Sequence, residues 1–444
     1  MKQVGLMNKI AFHTLGCKVN QVETEGLIED FISRGYELAD FDDKADIYVI
    51  NSCTVTHVSD RKSRAMIRRA VRRNPDALVV ATGCVAQVDA EQLAAIEGVN
   101  LVVGNRDKQN LVALVEDYLL RGHSGKETFI GPINRNDKLQ EILYSYHHQR
   151  TRAFVKIQDG CQSFCSYCIV PMARGPVRSK APEIVLHEVE QLVGLGYKEI
   201  VLTGIHTGFY GTDIPGWDLS SLITAILNRI SGQYRIRLSS IEPLEVDEKL
   251  LAIIADDRRV CRHLHIPLQS GSNAVLKAMG RRYDRDYYKK LVNKVDTRIP
   301  GMAFTADVMV GFPAESEQDF QDTCDLIGEL PLTDLHVFKY SIRKGTRAAE
   351  MFPQVHEREK NIRSEILLEL AEKKKLEFAK KFIGQRFSLL VEEKSGKDKY
   401  IGLTDNYLEI VIQSDQDLRG QSVEVEITSA DSKLIMGNIC IEPQ

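Results

Sequence analysis

Three times within its first 84 residues the chain passes through a short apolar run and stops at a cysteine. The runs Lys9 to Leu15, Asp46 to Ile50 and Ala77 to Ala81 lead into LGCKVN, NSCTVT and TGCVAQ, which hold Cys17, Cys53 and Cys84. Runs of this kind read as buried strands, and the segments between them carry helical patterns. Strands alternating with helices argue for a parallel sheet. The cysteines are 36 and 31 residues apart, about one strand–helix–strand unit each. The carboxyl ends of parallel strands share one edge, where ligands bind, so three thiols in that slot can converge. Gly16, Ser52 and Gly83 are small neighbours that admit a close backbone approach. The alternative, three ordinary buried cysteines, suits one such residue better than three in the same place. A fourth strand at Leu101 to Val103 and a helix from Asp107 to Leu120 complete this region, and the polar stretch up to Arg150 reads as a linker.

A second triplet, Cys161, Cys165 and Cys168, lies in DGCQSFCSYCIVPMARG. Thiolates so spaced can hold three corners of a 4Fe-4S cube and leave the fourth iron open to another ligand. Structural zinc is the alternative, but it normally takes four ligands. The next histidine, His187, falls in an expected helix.

Between residues 150 and 345 six strand-like runs alternate with helices: Ala153 to Ile157, Glu199 to Leu202, Arg235 to Leu238, His263 to Ile266, Ala303 to Val310 and Leu335 to Tyr340. This pattern predicts a partial TIM-type barrel of six strands. The segments DGC, TGIHTG, SSIEP, PLQSGS, GFPAE and SIRKGT follow the strands, at the end where such barrels gather their active sites. Ser239, Glu242, Gln269 and Asp307 are placed there to bond a ligand. Arg174 or Arg343 can pair with a carboxylate, and His206 and His265 are available as proton donors. Each of these residues also has an ordinary loop-packing or capping reading. A charged helical stretch from Val355 to Lys381 is expected to pack back on the barrel. Five short strands after Gln385 predict a small β-barrel. Cys261, Cys324 and Cys440 have no partner at useful spacing and read as structural.

A chain of 444 residues has room for two or three such domains. Nine cysteines in a long chain without a signal-peptide core point to metal or redox chemistry rather than disulfides, and to the cytoplasm. No apolar run approaches the roughly 18 residues of a membrane span, so no membrane partner is expected. The net charge of -4 confines any nucleic-acid contact to local patches. One candidate is RKSRAMIRRAVRRN, in which Arg61, Arg64, Arg68 and Arg72 share a helix face. It is either a solvated face or a phosphate-binding one.

The spacing of the second triplet, with Tyr167 before its last cysteine, resembles the radical S-adenosylmethionine superfamily. The C-terminal strands resemble the TRAM domain, an RNA-binding barrel. Taken in order, the three regions resemble the methylthiotransferases. TLGCKVNQVETE and DGCQSFCSYCIVPMARGPVRS look most like the branch that modifies threonylcarbamoyl-adenosine beside the tRNA anticodon.

The resemblance implies an α/β chain of three domains. These are a parallel-sheet domain at 8–120, a partial (β/α)6 radical SAM barrel at 147–380, and a TRAM-like barrel at 383–444. It implies two 4Fe-4S clusters, on Cys17, Cys53 and Cys84 and on Cys161, Cys165 and Cys168, with S-adenosylmethionine on the open iron of the second. One S-adenosylmethionine gives a methyl group to sulfur at the first cluster. Another is cleaved reductively at the second, to a radical that takes hydrogen from the substrate carbon. Tyr167, Gly204, Ser239, Glu242, Gln269, Asp307 and Arg343 are the implied cofactor contacts. The implied partners are tRNA and a flavodoxin- or ferredoxin-type electron donor, and the chain is expected to be a monomer. The alternatives are a methylthiotransferase for isopentenyl-adenosine tRNA or for a ribosomal protein, a radical SAM methylase, and a non-catalytic iron–sulfur RNA-binding protein.

Overall fold

The computed structural model describes residues 8–122, 125–144, 150–431 and 433–440. The N-terminal residues before 8, the start of the expected barrel domain at 147 and the last four residues of the expected C-terminal domain lie outside these. The chain divides into two compact units. The first comprises Met1–Ser145, Gln158–Ala181 and Ser341–Ala349, and the second Tyr146–Ile157, Pro182–Tyr340 and Glu350–Gln444.

The first unit begins with β1 (Lys9–Thr14), α1 (Lys18–Ser33), β2 (Glu37–Ala39), β3 (Ile47–Ser52) and α2 (His57–Arg73). It continues through β4 (Leu78–Gly83), α3 (Cys84–Val88), α4 (Ala90–Ala94), β5 (Leu101–Val103), α5 (Leu111–Leu120) and β6 (Glu127–Phe129). The six strands form one parallel sheet in the order β2-β1-β3-β4-β5-β6. The central β3 and β4 are buried along their whole length, as a parallel strand covered on both faces must be. Alternation along the strands sorts the core into two layers. Ala11, Tyr48, Ile50, Val79 and Ala81 meet Ile67 and Ala70 of α2. Ile10, Val49 and Val80 meet Leu27 and Phe31 of α1 and Leu111 and Val115 of α5.

Two strands of this six-stranded sheet escape the sequence reading. Both β2 and β6 are three-residue edge strands, and β6 lies within the stretch read as a linker. An edge strand needs one apolar face at most, so three residues of it leave no periodic signal.

The second unit takes up β7 (Ala153–Asp159), whose last two residues belong to the first unit together with α6 (Val170–Arg174) and β8 (Arg178–Ser179). It then runs through α7 (Pro182–Gly194), β9 (Glu199–Gly204), α8 (Leu219–Arg229), β10 (Arg235–Leu238), α9 (Glu248–Asp256) and β11 (His263–His265). Next come α10 (Asn273–Met279), α11 (Arg285–Arg298), β12 (Ala303–Val310), α12 (Glu317–Glu329), β13 (Asp334–Lys339) and α13 (Glu357–Lys380). Strands β7, β9 and β10 lie side by side, and β11, β12 and β13 form a parallel set. Backbone bonds on either side of Ile236 join the two sets. The six strands thus make a partial (β/α)6 barrel. Helix α13 packs back on it, as the sequence leads one to expect. Arg363 there donates to Glu315 Oε2 at 2.7 Å, and Lys360 Nζ to the Tyr340 carbonyl at 3.1 Å.

The chain ends in a closed five-strand barrel of β14 (Arg386–Lys394), β15 (Lys399–Thr404), β16 (Glu409–Gln413), β17 (Ser422–Ala430) and β18 (Ile435–Ile439). Its seam with the larger barrel is ionic. Glu199 is fully buried and receives Arg235 Nε at 2.6 Å and Arg237 Nε at 2.7 Å. Both arginines also donate to small-barrel carbonyls, Arg235 to Leu403 at 2.7 Å and Arg237 to Thr404 at 2.8 Å. Tyr407 lies under the Arg237 guanidinium and stacks on His263. Burial alone would raise the Glu199 carboxyl, but Arg237 and Arg235 outweigh it and hold the group far below the usual carboxylate range.

Among the described residues Glu199 is the one carboxylate paired with buried Arg237, so removing it strands a buried guanidinium. Glu199→Leu is expected to cost about 3 kcal/mol of stability or more in urea unfolding. Arg229→Ala, on a half-exposed side chain, should cost less than about 1 kcal/mol. The Glu199 contribution is fully present above the ordinary glutamate pKa of about 4.3. It is lost as the pH falls below that value towards the depressed folded one. Glu199→Gln should therefore flatten the acid limb of the stability profile.

Candidate functional site

All six cysteines of the two triplets belong to the first unit, whereas Cys261, Cys324 and Cys440 belong to the second. Cys17 caps α1, Cys53 follows β3 directly, and Cys84 opens α3 directly after β4. The sheet brings them together. Cys53 feels the charge of both Cys17 and Cys84, and burial first of all pushes its thiol up to about 11.

The glycines before Cys17 and Cys84 are structural necessities. Gly16 has φ +102°, and a Cβ there would lie 2.8 Å from Cys53 Sγ. Gly83 has φ +96°, and a Cβ there would lie 2.4 Å from the Ser52 carbonyl. The loop of Cys17 can approach the Cys53 thiol, and that of Cys84 the end of β3, only because both positions lack a side chain.

A buried polar network backs this triplet. Asn20 on α1 donates to the carbonyls of Leu15 (2.7 Å) and Ser52 (3.0 Å), fixing the two strand ends that carry Cys17 and Cys53. Asn51 donates to the Asn20 carbonyl and to Thr24 Oγ1, both at 3.0 Å. Lys108 Nζ reaches Glu23 Oε2 at 2.5 Å and Asn51 Oδ1 at 3.2 Å. Burial lowers the Lys108 ammonium, with Glu23 opposing. Asn105 Nδ2 donates to Cys84 Sγ at 3.6 Å.

The second triplet sits on the loop between β7 and α6. The Cys168 amide donates to the Cys165 carbonyl at 3.0 Å, closing a turn, and the Ser163 amide donates to Cys161 Sγ at 3.5 Å. Gly160, at φ +75°, precedes the loop, and a Cβ there would collide with the Pro176 carbonyl at 1.9 Å. The far side of the loop is pinned by the Ala348 amide on the Ser166 carbonyl (2.8 Å) and by Arg347 on the Phe164 carbonyl (3.1 Å). The three cysteines and Tyr167 are all half-buried. Each triplet thus offers three thiols with glycine at the approach, a donor set that fits a three-thiolate 4Fe-4S cluster.

Arg174 and Arg343, one or the other of which was expected to meet a carboxylate, are each paired with carboxylates of the first unit. Arg174 Nη1 donates to Glu23 Oε1 at 2.6 Å and to Asp159 at 3.2 Å, and Nη2 bonds Asn20 Oδ1. Arg343 Nη1 donates to Asp60 Oδ2 at 2.6 Å. In α2 the buried face is Asp60, Ser63, Ile67 and Ala70. Arg69 and Arg73 pair with Asp42. Arg61, Arg64, Arg68 and Arg72 have no ion pair among the described residues, and only Arg64 is half-buried.

In the second unit Gly204 ends β9. Ser239 follows β10, and its hydroxyl donates to Thr203 Oγ1 at 3.1 Å. Glu242 is bonded by Arg281, and burial raises its carboxyl against that pull. Gln269 holds φ +65°, with its amide on the Asp307 carbonyl (2.7 Å) and its own carbonyl accepting from Met309 (2.9 Å). A non-glycine residue held there stores strain. Asp307 lies 3.2 Å from His265 Nε2 and 3.4 Å from His336 Nδ1. Burial would raise its carboxyl, but the two imidazoles hold it well below the usual range. His206 pairs with Glu245 and stacks on Phe209.

The sequence reading missed Asn20, Glu23, Asn51, Asn105, Lys108 and His336. Only Asn20 and Glu23 carried a signal, lying three and six residues after Cys17 on one helix face.

Residues 9–104 match the family described as uncharacterized protein family UPF0004, and residues 155–327 match the radical SAM superfamily. That superfamily implies one 4Fe-4S cluster and S-adenosylmethionine. The chain is 42% identical to threonylcarbamoyladenosine tRNA methylthiotransferase MtaB of Bacillus subtilis, over 96% of this chain and 94% of that one. It is 43% identical to the protein of that name from Aquifex aeolicus, over 90% and 96%. The tRNA-2-methylthio-N(6)-dimethylallyladenosine synthase of Carboxydothermus hydrogenoformans is 34% identical over 94% and 95%. The fold is similar to that of a radical S-adenosylmethionine methyltransferase, TsrM, from Kitasatospora setae, with a TM-score of 0.59 at 15% identity, covering 78% of this chain and 77% of that one.

In the chain without metal, iodoacetamide at neutral pH is expected to label exposed Cys17 well before Cys53, whose thiol is buried and protonated. Equal rates, read by peptide mass spectrometry, would contradict the strand-end geometry. On its sequence identity over nearly the whole length, the chain belongs to the radical S-adenosylmethionine methylthiotransferase family.

Proposed function

We propose that this chain adds a methylthio group to carbon 2 of threonylcarbamoyl-adenosine beside the anticodon of tRNA. The observation that carries the proposal is the meeting of two three-cysteine sets in one compact unit. The identity to two threonylcarbamoyladenosine tRNA methylthiotransferases supports the substrate. Bound to these sets, two 4Fe-4S clusters with S-adenosylmethionine supply one-electron chemistry that opens a carbon–hydrogen bond, and a site for sulfur transfer.

The chain's own residues hold and aim that chemistry. Ser163 steadies the Cys161 sulfur, and Gly16, Gly83 and Gly160 keep the approaches open. Gly204, Ser239, Glu242, Gln269 and Asp307 are the groups of the second unit that we assign to binding S-adenosylmethionine, the last four to it or to the substrate. The unpaired arginines of α2 face tRNA phosphates, and the C-terminal barrel is a second RNA-binding surface. The functional division follows the ranges 8–120, 147–380 and 383–444. No helix among the described residues is long and apolar enough to cross a membrane. We place the protein in the cytoplasm as a monomer, reduced by a flavodoxin- or ferredoxin-type donor.

The test is anaerobic turnover on tRNA carrying threonylcarbamoyl-adenosine, with nucleosides read by mass spectrometry. Wild type should form the methylthio nucleoside. Cys161, Cys165 and Cys168 changed to Ala should stop release of deoxyadenosine. Cys17, Cys53 and Cys84 changed to Ala should keep that release and lose sulfur insertion. Methylthiolation that survives this second change would refute the proposal, and product only on isopentenyl-adenosine tRNA would move the substrate. Changing Arg61, Arg64, Arg68 and Arg72 to Gln should lower the slope of log affinity against log salt by about 0.9 for each phosphate that is no longer neutralised.

A further inference from the structure

Arg174 belongs to both cysteine-bearing segments at once. Its backbone closes α6, the helix that follows Cys168, and its guanidinium lies against Asn20 and Glu23 of α1, which Cys17 caps. Asn105 tightens the link. The nitrogen that donates to Cys84 Sγ also donates to the carbonyl of Ala173 at 2.8 Å, next to Arg174 in the chain.

The charges here are unbalanced. Arg174, Arg178 and Lys108 are all buried, and they face two carboxylates, Glu23 and Asp159. Among the described residues these two carboxylates pair with all three cations and leave one positive charge in excess. Beside them stand the thiols: Asn105 bridges Cys84 Sγ to the residue before Arg174, and Lys108 bonds Asn51, two residues before Cys53. In a dry interior an electrostatic interaction is far stronger than in water. The charge around an iron–sulfur cluster is one of the levers that set its potential. Each electron added to a thiolate-held cluster makes it more negative, so a fixed cation beside it favours the reduced state.

We propose that Arg174 is a positioning residue for a cluster on Cys17, Cys53 and Cys84. It ties the loop of the second triplet to the helix of the first and, with Lys108, supplies the positive charge that raises that cluster's reduction potential. This rests on the two-cluster reading above.

The experiment uses the full chain with Cys161, Cys165 and Cys168 changed to Ala, reconstituted anaerobically, so that one cluster remains. Its potential is followed by electron paramagnetic resonance during titration with dithionite. Adding Arg174→Gln should move the midpoint to a more negative value, and Arg174→Lys, which keeps the charge, should restore most of it. Lys108→Gln leaves Arg174 and its partners in place and should shift the midpoint the same way, so the test survives a misfolded Arg174→Gln. Unchanged midpoints in the Gln variants would overturn the charge assignment and leave the two-cluster reading standing. A Lys variant as shifted as the Gln variant would overturn it likewise. No iron in the parent chain would overturn both.

Discussion

A parallel strand delivers its last residue to one edge of the sheet, and that constraint organises the first unit. Because β1, β3 and β4 are neighbours in register, the residues after them meet although they come from positions 17, 53 and 84. The two buried layers of apolar side chains hold this edge in place. A thiol takes part by following its strand, with a small residue before it. The glycines at 16 and 83 and the carbonyl clamps of Asn20 then set how closely the three loops approach.

The second unit handles charge differently. Glu199 is buried with arginines around it, and those arginines spend their remaining donors on carbonyls of the small barrel. The arrangement joins two β structures through hydrogen-bonded charge rather than through apolar area alone. Such a seam is specific in register, since a shift by one residue would leave buried guanidinium donors without acceptors. In the first unit the buried charge lies beside the cysteines, where it can act on chemistry.

Long buried strands were legible in the sequence because burial on both faces writes an unbroken apolar run, as in β3 and β4. Among the barrel strands β9 comes near such a run, whereas β10, β11 and β13 carry Arg, His or Lys and were placed by their alternation with helices; the C-terminal strands were legible as short runs between turns. The edge strands β2 and β6 were not, since three residues at a sheet margin need no pattern. The cysteines could be read from their common slot after each strand. Their supporting residues mostly could not. Arg174 could be read as a partner for a carboxylate, but Glu23 lies 151 positions away, and nothing local in either segment links the two. Lys108 comes from a single turn after β5, where a lysine ordinarily signals solvent. The basic helix shows the same limit: helical spacing put Arg61, Arg64, Arg68 and Arg72 on one face, but only the fold shows that Asp42 takes Arg69 and Arg73 instead.

Two clusters in one unit is the claim on which the rest turns. Iron and sulfide content, measured on anaerobically reconstituted wild type beside the variant with Cys17, Cys53 and Cys84 changed to Ala, tests it most directly. Two clusters give about eight irons per chain in wild type, falling to about four in the variant. About four in both proteins would contradict that claim and leave a radical SAM enzyme with a single cluster.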